Sequence, residues 1–376
     1  MFKKLLARYT VHAPDAYFVS LVGALVFFGL LVLTSASAPL AFERFNDSYY
    51  YIKHQLIFGL IPGIVMFFVF SLVDYHKWRK YAFFMLIFSV VLLILVFIPG
   101  IGAEFGTARS WINIGSFSIQ PSEIVKLTFL LYLASWAESR GHTRMSDLHE
   151  GLYPFVISLG TVILLMILQP DIGTMSIVIA MSMAVYLVGG AAWSHVAGLG
   201  ALGVAGILFL IKIAPYRAAR FTVFLHPELD PQGIGYHINQ AFLAIGSGGL
   251  FGKGFGLSRQ KFQYLPEVMG DSIYAILSEE LGFIFAALTI IAFALLVRRG
   301  FRIAMGTKDK FAKYLVVGIM TWITTQAFFN IGAMLGLMPL TGVPLPFISY
   351  GGTSLMTSLA AMGLVANVSR SVSLGK

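Results

Sequence analysis

The sequence predicts an all-α integral membrane protein. It reads as one polytopic domain over residues 1–376, a bundle of about ten transmembrane helices with a large extracytoplasmic loop before the eighth. Three observations lead there. Of 376 residues, 58% are hydrophobic and only 11% charged, too few charges to cover a soluble domain of that size. Windows nearly free of charge recur, several of about 18 residues or more, enough for a helix to cross a hydrocarbon core of about 30 Å. Lys and Arg gather on alternate connections between these windows.

The windows cover 17–37, 54–73, 81–99, 122–137, 153–168, 172–190, 194–214, 272–297, 314–335 and 351–368. The first follows a basic start, MFKKLLAR, and ends at Ser35-Ala36-Ser37, a pattern resembling a cleavable signal. Its apolar stretch is too long for one, and Asp15 separates it from the basic start, so it is expected to remain as a span. With a cytoplasmic N-terminus, sixteen of the 26 Lys and Arg fall on cytoplasmic segments and nine outside, while Lys126 lies within a span. Both termini are therefore expected in the cytoplasm. The net charge of +9 reflects this bias and attraction to anionic lipid, and no nucleic-acid site is read from it. Without cysteine there is no disulfide, cysteine nucleophile or thiolate metal site.

Connections are short except for 38–53, 100–121 and above all 215–271, a length that points to a functional loop. No internal repeat of the transporter kind is visible. In GTARSWINIGSFSIQPSEIVKL (106–127), Pro121 suits a first helical turn, and Glu123 and Lys126 stand three apart on one face of the fourth span. Ionisable residues at that depth are costly. They either pair structurally or serve a polar cavity, in which Lys126 would hold an anionic group with Arg109 approaching from the loop. LQPDIGT (168–174) reads as a structural turn, Pro170 fixing φ and Asp171 capping the next helix. Arg217 and Arg220 in PYRAARF suit phosphate oxygens or lipid headgroups equally. GSGGLFGKGFG (246–256) matches no nucleotide-binding spacing, and its glycines would let the loop fold back on the membrane surface or on a ligand.

LPEVMGDSIYAILSEELG (265–282) sets Glu267, Asp271, Glu279 and Glu280 along an apolar run. Asp271, at the start of the eighth span, would cap that helix, and at the membrane edge it would also serve as a general base. Glu279 falls about 12 Å deeper at helical rise. Glu279 and Glu280 therefore read as buried partners, with Lys126 the candidate cation.

TSASAPL, ARSWINIG, QPSEIVKL, LQPDIGT, PYRAARF, GYHINQAFLAIGSGGLFGKGFGLSRQKFQYLPE, DSIYAILSEELGF and NIGAMLGLMPLTGVPLPFISYGGTS follow one another across nearly the whole chain. Together they resemble the SEDS family (shape, elongation, division and sporulation). TSAS after the first span and the GYHINQAFLAIGSGGLFGKGFG run are more similar to its septal FtsW type than to its RodA type.

The resemblance implies a ten-span protein of the bacterial cytoplasmic membrane, located at the division septum, that polymerises lipid II into glycan strands. An acceptor 4-hydroxyl would displace undecaprenyl pyrophosphate in one inverting step, which needs one base and a positive clamp. Asp271 stands at the position of the family's essential loop aspartate, although many relatives have a His-Thr-Asp-Phe-like run where this chain has Met269, Gly270, Asp271 and Ser272. Arg109, Glu123, Lys126, Arg217 and Glu267 are expected to handle substrate or pyrophosphate. A divalent cation, Mg or Mn, would help neutralise the pyrophosphate, although no metal-ligand cluster is visible in the sequence. A class B penicillin-binding transpeptidase and other division proteins are the implied partners. Competing readings are a lipid II flippase lined by Glu123, Lys126, Glu279 and Glu280, an elongation polymerase of the RodA type, and a division scaffold.

Overall fold

The computed structural model describes residues 13–105, 108–114, 117–213 and 222–372. In chain order its main helices are α1 (Ala16–Phe45), α2 (Tyr50–Leu72), α3 (Tyr75–Lys80), α4 (Ala82–Leu95), α5 (Pro121–Met145), α6 (Leu148–Leu168), α7 (Ile172–Val188), α8 (Trp193–Ile213), α9 (Ile234–Gly248), α10 (Ile273–Gly306), α11 (Lys310–Met334) and α12 (Gly352–Ser369). All but α3 and α9 coincide with the apolar windows. Five of them, α1, α2, α6, α10 and α11, are long and apolar enough to cross a membrane, and α4 and α7 are shorter apolar helices.

Local chemistry fixes several starts. Asp15, Asp147, Asp171 and Asp309 each accept a backbone N–H at the head of α1, α6, α7 and α11. Pro121 occupies the first turn of α5, where its missing N–H costs nothing. The helices pack around α5, α7, α11 and α12, whose Phe129, Leu130, Ile177, Val185, Leu315, Trp322 and Leu364 are fully buried.

Between α4 and α5 the expected loop is a small antiparallel sheet in the order β1-β2-β3: β1 (Gly102–Phe105), β2 (Ala108–Ile114) and β3 (Phe117–Ile119). Ser110 Oγ on β2 donates to Gln169 O at 3.0 Å, pinning the sheet to the turn between α6 and α7. Sheet, turn and the long loop before α10 thus share one end of the bundle, hereafter the loop end.

The described part of the long connection, residues 222–271, is more ordered than its weak periodicity suggests. It holds α9, and its glycine-rich continuation folds back against α10. There α10 is broken: Gly282 has φ 76° and ψ −176°, a conformation that strains any residue with a Cβ. The break frees peptide groups inside a span, where each must find a partner. The glycine-rich segment supplies them: Lys253 and Gly254 amides donate to Glu279 O and Glu280 O at 3.0 Å each, and Gly249 O and Leu250 O accept from Phe283 N and Ile284 N at 2.9 and 3.3 Å. A Cβ at Gly252 would lie 2.1 Å from Glu280 O, so only glycine permits this approach. At helical rise the contact lies about 14 Å beyond the first residue of α10. The glycines do allow a close return, but onto a broken helix of the chain itself and not onto the membrane surface or a ligand as expected.

Candidate functional site

Asp271 is half-buried at the loop end, immediately before α10. The helix starts at Ile273 and its N-cap is Ser272, one residue later than expected. Asp271 is therefore not the N-cap. The Ser272 hydroxyl donates instead to Pro266 O at 2.7 Å and lies 2.6 Å from His237 Nε2 on α9. Since the hydroxyl has one proton, the imidazole must donate from Nε2. Burial lowers the His237 pKa to about 4, so the ring is neutral.

The peptide groups around Asp271 are tied to two other elements. Tyr350 N donates to Met269 O at 2.8 Å, Ser349 Oγ to Gly270 O at 2.6 Å, and Asn330 Nδ2 on α11 to Asp271 O at 2.9 Å. Glu267, four residues earlier, has φ 48° and turns the chain, its carbonyl accepting from Gly270 N and Ser272 N at 3.0 and 3.2 Å. It lines a cavity of about 210 Å³ with Leu40 and Arg44 from α1, Lys261, Gln263 and Met269.

Lys126 is fully buried on α5 and its ammonium is enclosed by partners. Nζ donates to Glu123 Oε1 and Gln326 Oε1 at 2.8 Å each and lies 4.6 Å from the Trp322 ring centroid. Gln326 Oε1 also accepts from Trp322 Nε1 at 2.6 Å, and its amide donates to Pro344 O at 2.9 Å. Asp171 joins the heads of two helices, its Oδ2 accepting from Ser122 Oγ at 2.9 Å and its Oδ1 from Thr174 N at 3.1 Å. Burial raises the Asp171 pKa, against the Thr174 and Ser122 hydrogen bonds that lower it.

Glu279 and Glu280 do not pair with Lys126. Lys253 Nζ donates to Glu279 Oε1 at 2.6 Å, Arg259 and Gln260 amides donate to the same carboxylate at 3.2 Å, and Ser258 Oγ completes its shell. Lys261 Nζ donates to Glu280 Oε1, Ser35 Oγ and Gly256 O at 2.8, 3.0 and 2.7 Å, using all three of its protons. The correction has a physical reason: the returning loop docks against α10 at its break, beside both carboxylates, and brings two lysines of its own. These cations, counted as outside charges in the sequence, lie against the bundle.

Arg109 lies on β2, its backbone opposite Glu104. Arg217 and Arg220 lie outside the described residues. The structure thus groups Glu123 with Lys126 as expected, and Glu267 with Asp271. Sequence reasoning missed His237, Gln326, Asn330 and Ser349. The one signal for Gln326 and Asn330 was two amides a single turn apart inside an apolar window, a costly placement that asks for partners.

The family model for the FtsW, RodA and SpoVE cell cycle proteins matches residues 15–374. The chain belongs to this family. It is 42% identical over 358 residues to stage V sporulation protein E of Bacillus subtilis, covering 95% of this chain and 97% of that protein. It is 36% identical over 359 residues to the probable peptidoglycan glycosyltransferase FtsW of a Geobacter species, covering 96% and 97%. Among solved structures, a chain of a peptidoglycan synthase complex that coordinates polymerization and crosslinking matches with a TM-score of 0.78 at 27% identity, over 95% of this chain and 98% of that one. The rod shape determining protein RodA of Thermus thermophilus matches with a TM-score of 0.71 at 27% identity, over 97% and 99%. This SEDS chain is accordingly a multi-pass membrane protein.

Proposed function

We propose that the protein is a peptidoglycan glycosyltransferase that polymerises lipid II into β-1,4 glycan strands at the outer face of the bacterial cytoplasmic membrane, with both termini in the cytoplasm. Asp271 is the general base. The observation that carries the reading is a carboxylate at the loop end whose main chain is fastened on three consecutive carbonyls, beside a glutamate-lined cavity. The relatives' names and the family supply the reaction class.

In the reaction, the Asp271 carboxylate takes the proton of the acceptor 4-hydroxyl as its oxygen bonds to the donor's anomeric carbon. The bond from that carbon to the pyrophosphate oxygen breaks on the opposite face, and the α-linked donor becomes a β-linked product. Negative charge develops on the departing pyrophosphate, which requires cations near it. Arg109, on β2, and Arg217 serve that role, while Lys126, held by Glu123, fixes a positive charge in the adjoining bundle. Glu267 contacts the acceptor side through the cavity it lines. A divalent cation such as Mg or Mn would help neutralise the departing pyrophosphate.

The working assembly pairs this chain with a class B penicillin-binding transpeptidase at the division septum, a reading supported by the similarity to a peptidoglycan synthase complex. The test is polymerisation of purified lipid II by the solubilised protein with its transpeptidase, wild type against Asp271→Asn. Polymer from wild type and a loss of at least about 10²-fold in the folded variant is expected, the scale of a general base. Equal polymerisation by both would remove Asp271 from the chemistry. Transfer of lipid II across liposomes without polymer from either would put the flippase reading in its place.

A further inference from the structure

Three successive carbonyls, those of Met269, Gly270 and Asp271, each accept a hydrogen bond from a different residue of a distant segment: Tyr350 N, Ser349 Oγ and Asn330 Nδ2. Asn330 is 1% exposed and Ser349 5%, so two of the three donors are buried polar groups that are costly to leave without a partner. Asn330 uses both amide hydrogens, the second on Val343 O at 2.9 Å. Ser349 Oγ also accepts from Leu345 N at 2.8 Å. The 343–350 segment is therefore fixed to α11 and in turn fixes the residues entering α10.

The same helix face holds the buried cation. Gln326 lies one turn before Asn330, binds Lys126 through Oε1 and holds Pro344 O, next to the Val343 O held by Asn330. Asp271, just before α10, and Lys126, on α5, are thus both referred to one turn of α11 and to the Val343-Pro344 peptide. None of these contacts involves the Asp271 carboxylate, so they govern where it stands rather than how basic it is.

We propose that Asn330, acting with Ser349, is a positioning residue for Asp271 that sets the carboxylate's place relative to Lys126. The inference rests on the reading of Asp271 as the base. A displacement of about 1 Å at a reacting group costs on the order of 10²-fold in rate, and removing the Asn330 donor frees the carbonyl of the base itself.

The test measures lipid II polymerisation by the full-length protein with its transpeptidase for Asn330→Ala, Ser349→Ala and Ser349→Thr, with Asp271→Asn and Asn367→Ala in parallel. Asn367 is a matched control: it is buried on α12 and holds the carbonyls of Phe70, Ser71 and Val73 through Nδ2, far in sequence from Asp271. Asn330→Ala is expected to lower kcat about 10²-fold and Ser349→Ala about tenfold. KM for lipid II should stay within threefold, the acidic limb of the pH–rate profile should not move, and Ser349→Thr, which keeps the hydroxyl, should recover most of the rate. Asn367→Ala should lower the unfolding temperature without lowering kcat.

Near-wild-type kcat in Asn330→Ala and Ser349→Ala, with Asp271→Asn inactive, overturns the positioning role and leaves the base in place. So does a kcat loss that merely follows unfolding temperature across the Asn330 and Asn367 variants. An active Asp271→Asn overturns the base reading, and the positioning role with it.

Discussion

Among the described residues, two groups of buried charge stand in this bundle, and they are assembled differently. Glu123 and Lys126 sit three residues apart on α5, with Gln326 and Trp322 from α11 closing the shell. Glu279 and Glu280 are adjacent on α10, yet their cations come from residues 253 and 261 of the returning loop, and Ser35 of α1 reaches Glu280 at 2.7 Å. The first group's ion pair lies within one helix, and none of these partners comes from the returning loop. The second exists only while the loop is docked. The contrast makes one a fixture between α5 and α11 and the other the fastening of the glycine-rich segment to the bundle.

The strongest way to break that comparison is to remove one carboxylate from the docked group. Glu280→Gln leaves Lys261 charged and buried with neutral acceptors alone: Ser35, Gly256 and the amide oxygen that replaces the carboxylate. Breaking a buried pair from one side costs about 3–5 kcal/mol, and here it should appear as a lower unfolding temperature with loss of loop protection. Adding Lys261→Met should recover much of the loss, because no charge is then stranded. Glu123→Gln should lower stability without exposing residues 248–258, which hydrogen exchange resolved by segment would check. Equal exposure of the loop in both variants would erase the distinction.

What the sequence could convey divides along the same line. The Glu123–Lys126 pair, the Pro121 start and the Asp171 cap each depend on residues within four positions of one another, and helical or turn geometry carries them from spacing alone. The partners of Glu279 and Glu280 lie 19 to 245 residues away, and no local period encodes such a distance. The break at Gly282 was hidden because its cost is met by amides from a different segment. The sheet in residues 102–119 was masked by a short, glycine-containing connection, although the alternation in ARSWINI was there to see. The carboxylate proposed as base was visible in the sequence, while Asn330 and Ser349, which fasten its backbone, were visible only as costly polar residues in an apolar setting.

A pH change should sharpen the comparison with a somewhat smaller effect. His237 titrates at about 4 in the folded chain against an ordinary 6.5, because burial opposes its charge. Its depressed pKa means the unfolded or undocked state binds a proton first as pH falls, so stability is full above about 6.5 and declines between 6.5 and about 4. The limit is about 3 kcal/mol at ~1.4 kcal/mol per unit. Lowering pH from 7 to 5 should therefore loosen α9 and the turn at Ser272 while α5 and α11 keep their protection. Exchange rates corrected for intrinsic pH dependence would show it, and His237→Gln should flatten the response.

The smallest effect calibrates the other two. Asp15, at the head of α1, accepts from Arg299 Nη2 at 2.6 Å and from Phe18 N at 2.7 Å, near the end of the bundle opposite the loop. Burial opposes its ionisation, but the Arg299 and Phe18 hydrogen bonds outweigh that and hold its carboxyl below the ordinary value of 3.8. A depressed carboxylate contributes stability that is full above its unfolded pKa and is lost as pH falls through the lower folded one, here entirely below about 4. Asp15→Asn keeps the cap and removes the charge, so it should cost about 0.5–1 kcal/mol at pH 7, the scale of a partly exposed ion pair, and progressively less as pH falls below about 4. A cost near that of Glu280→Gln would mean that burial, rather than the docking of a separate segment, is what makes the Glu279–Glu280 group matter.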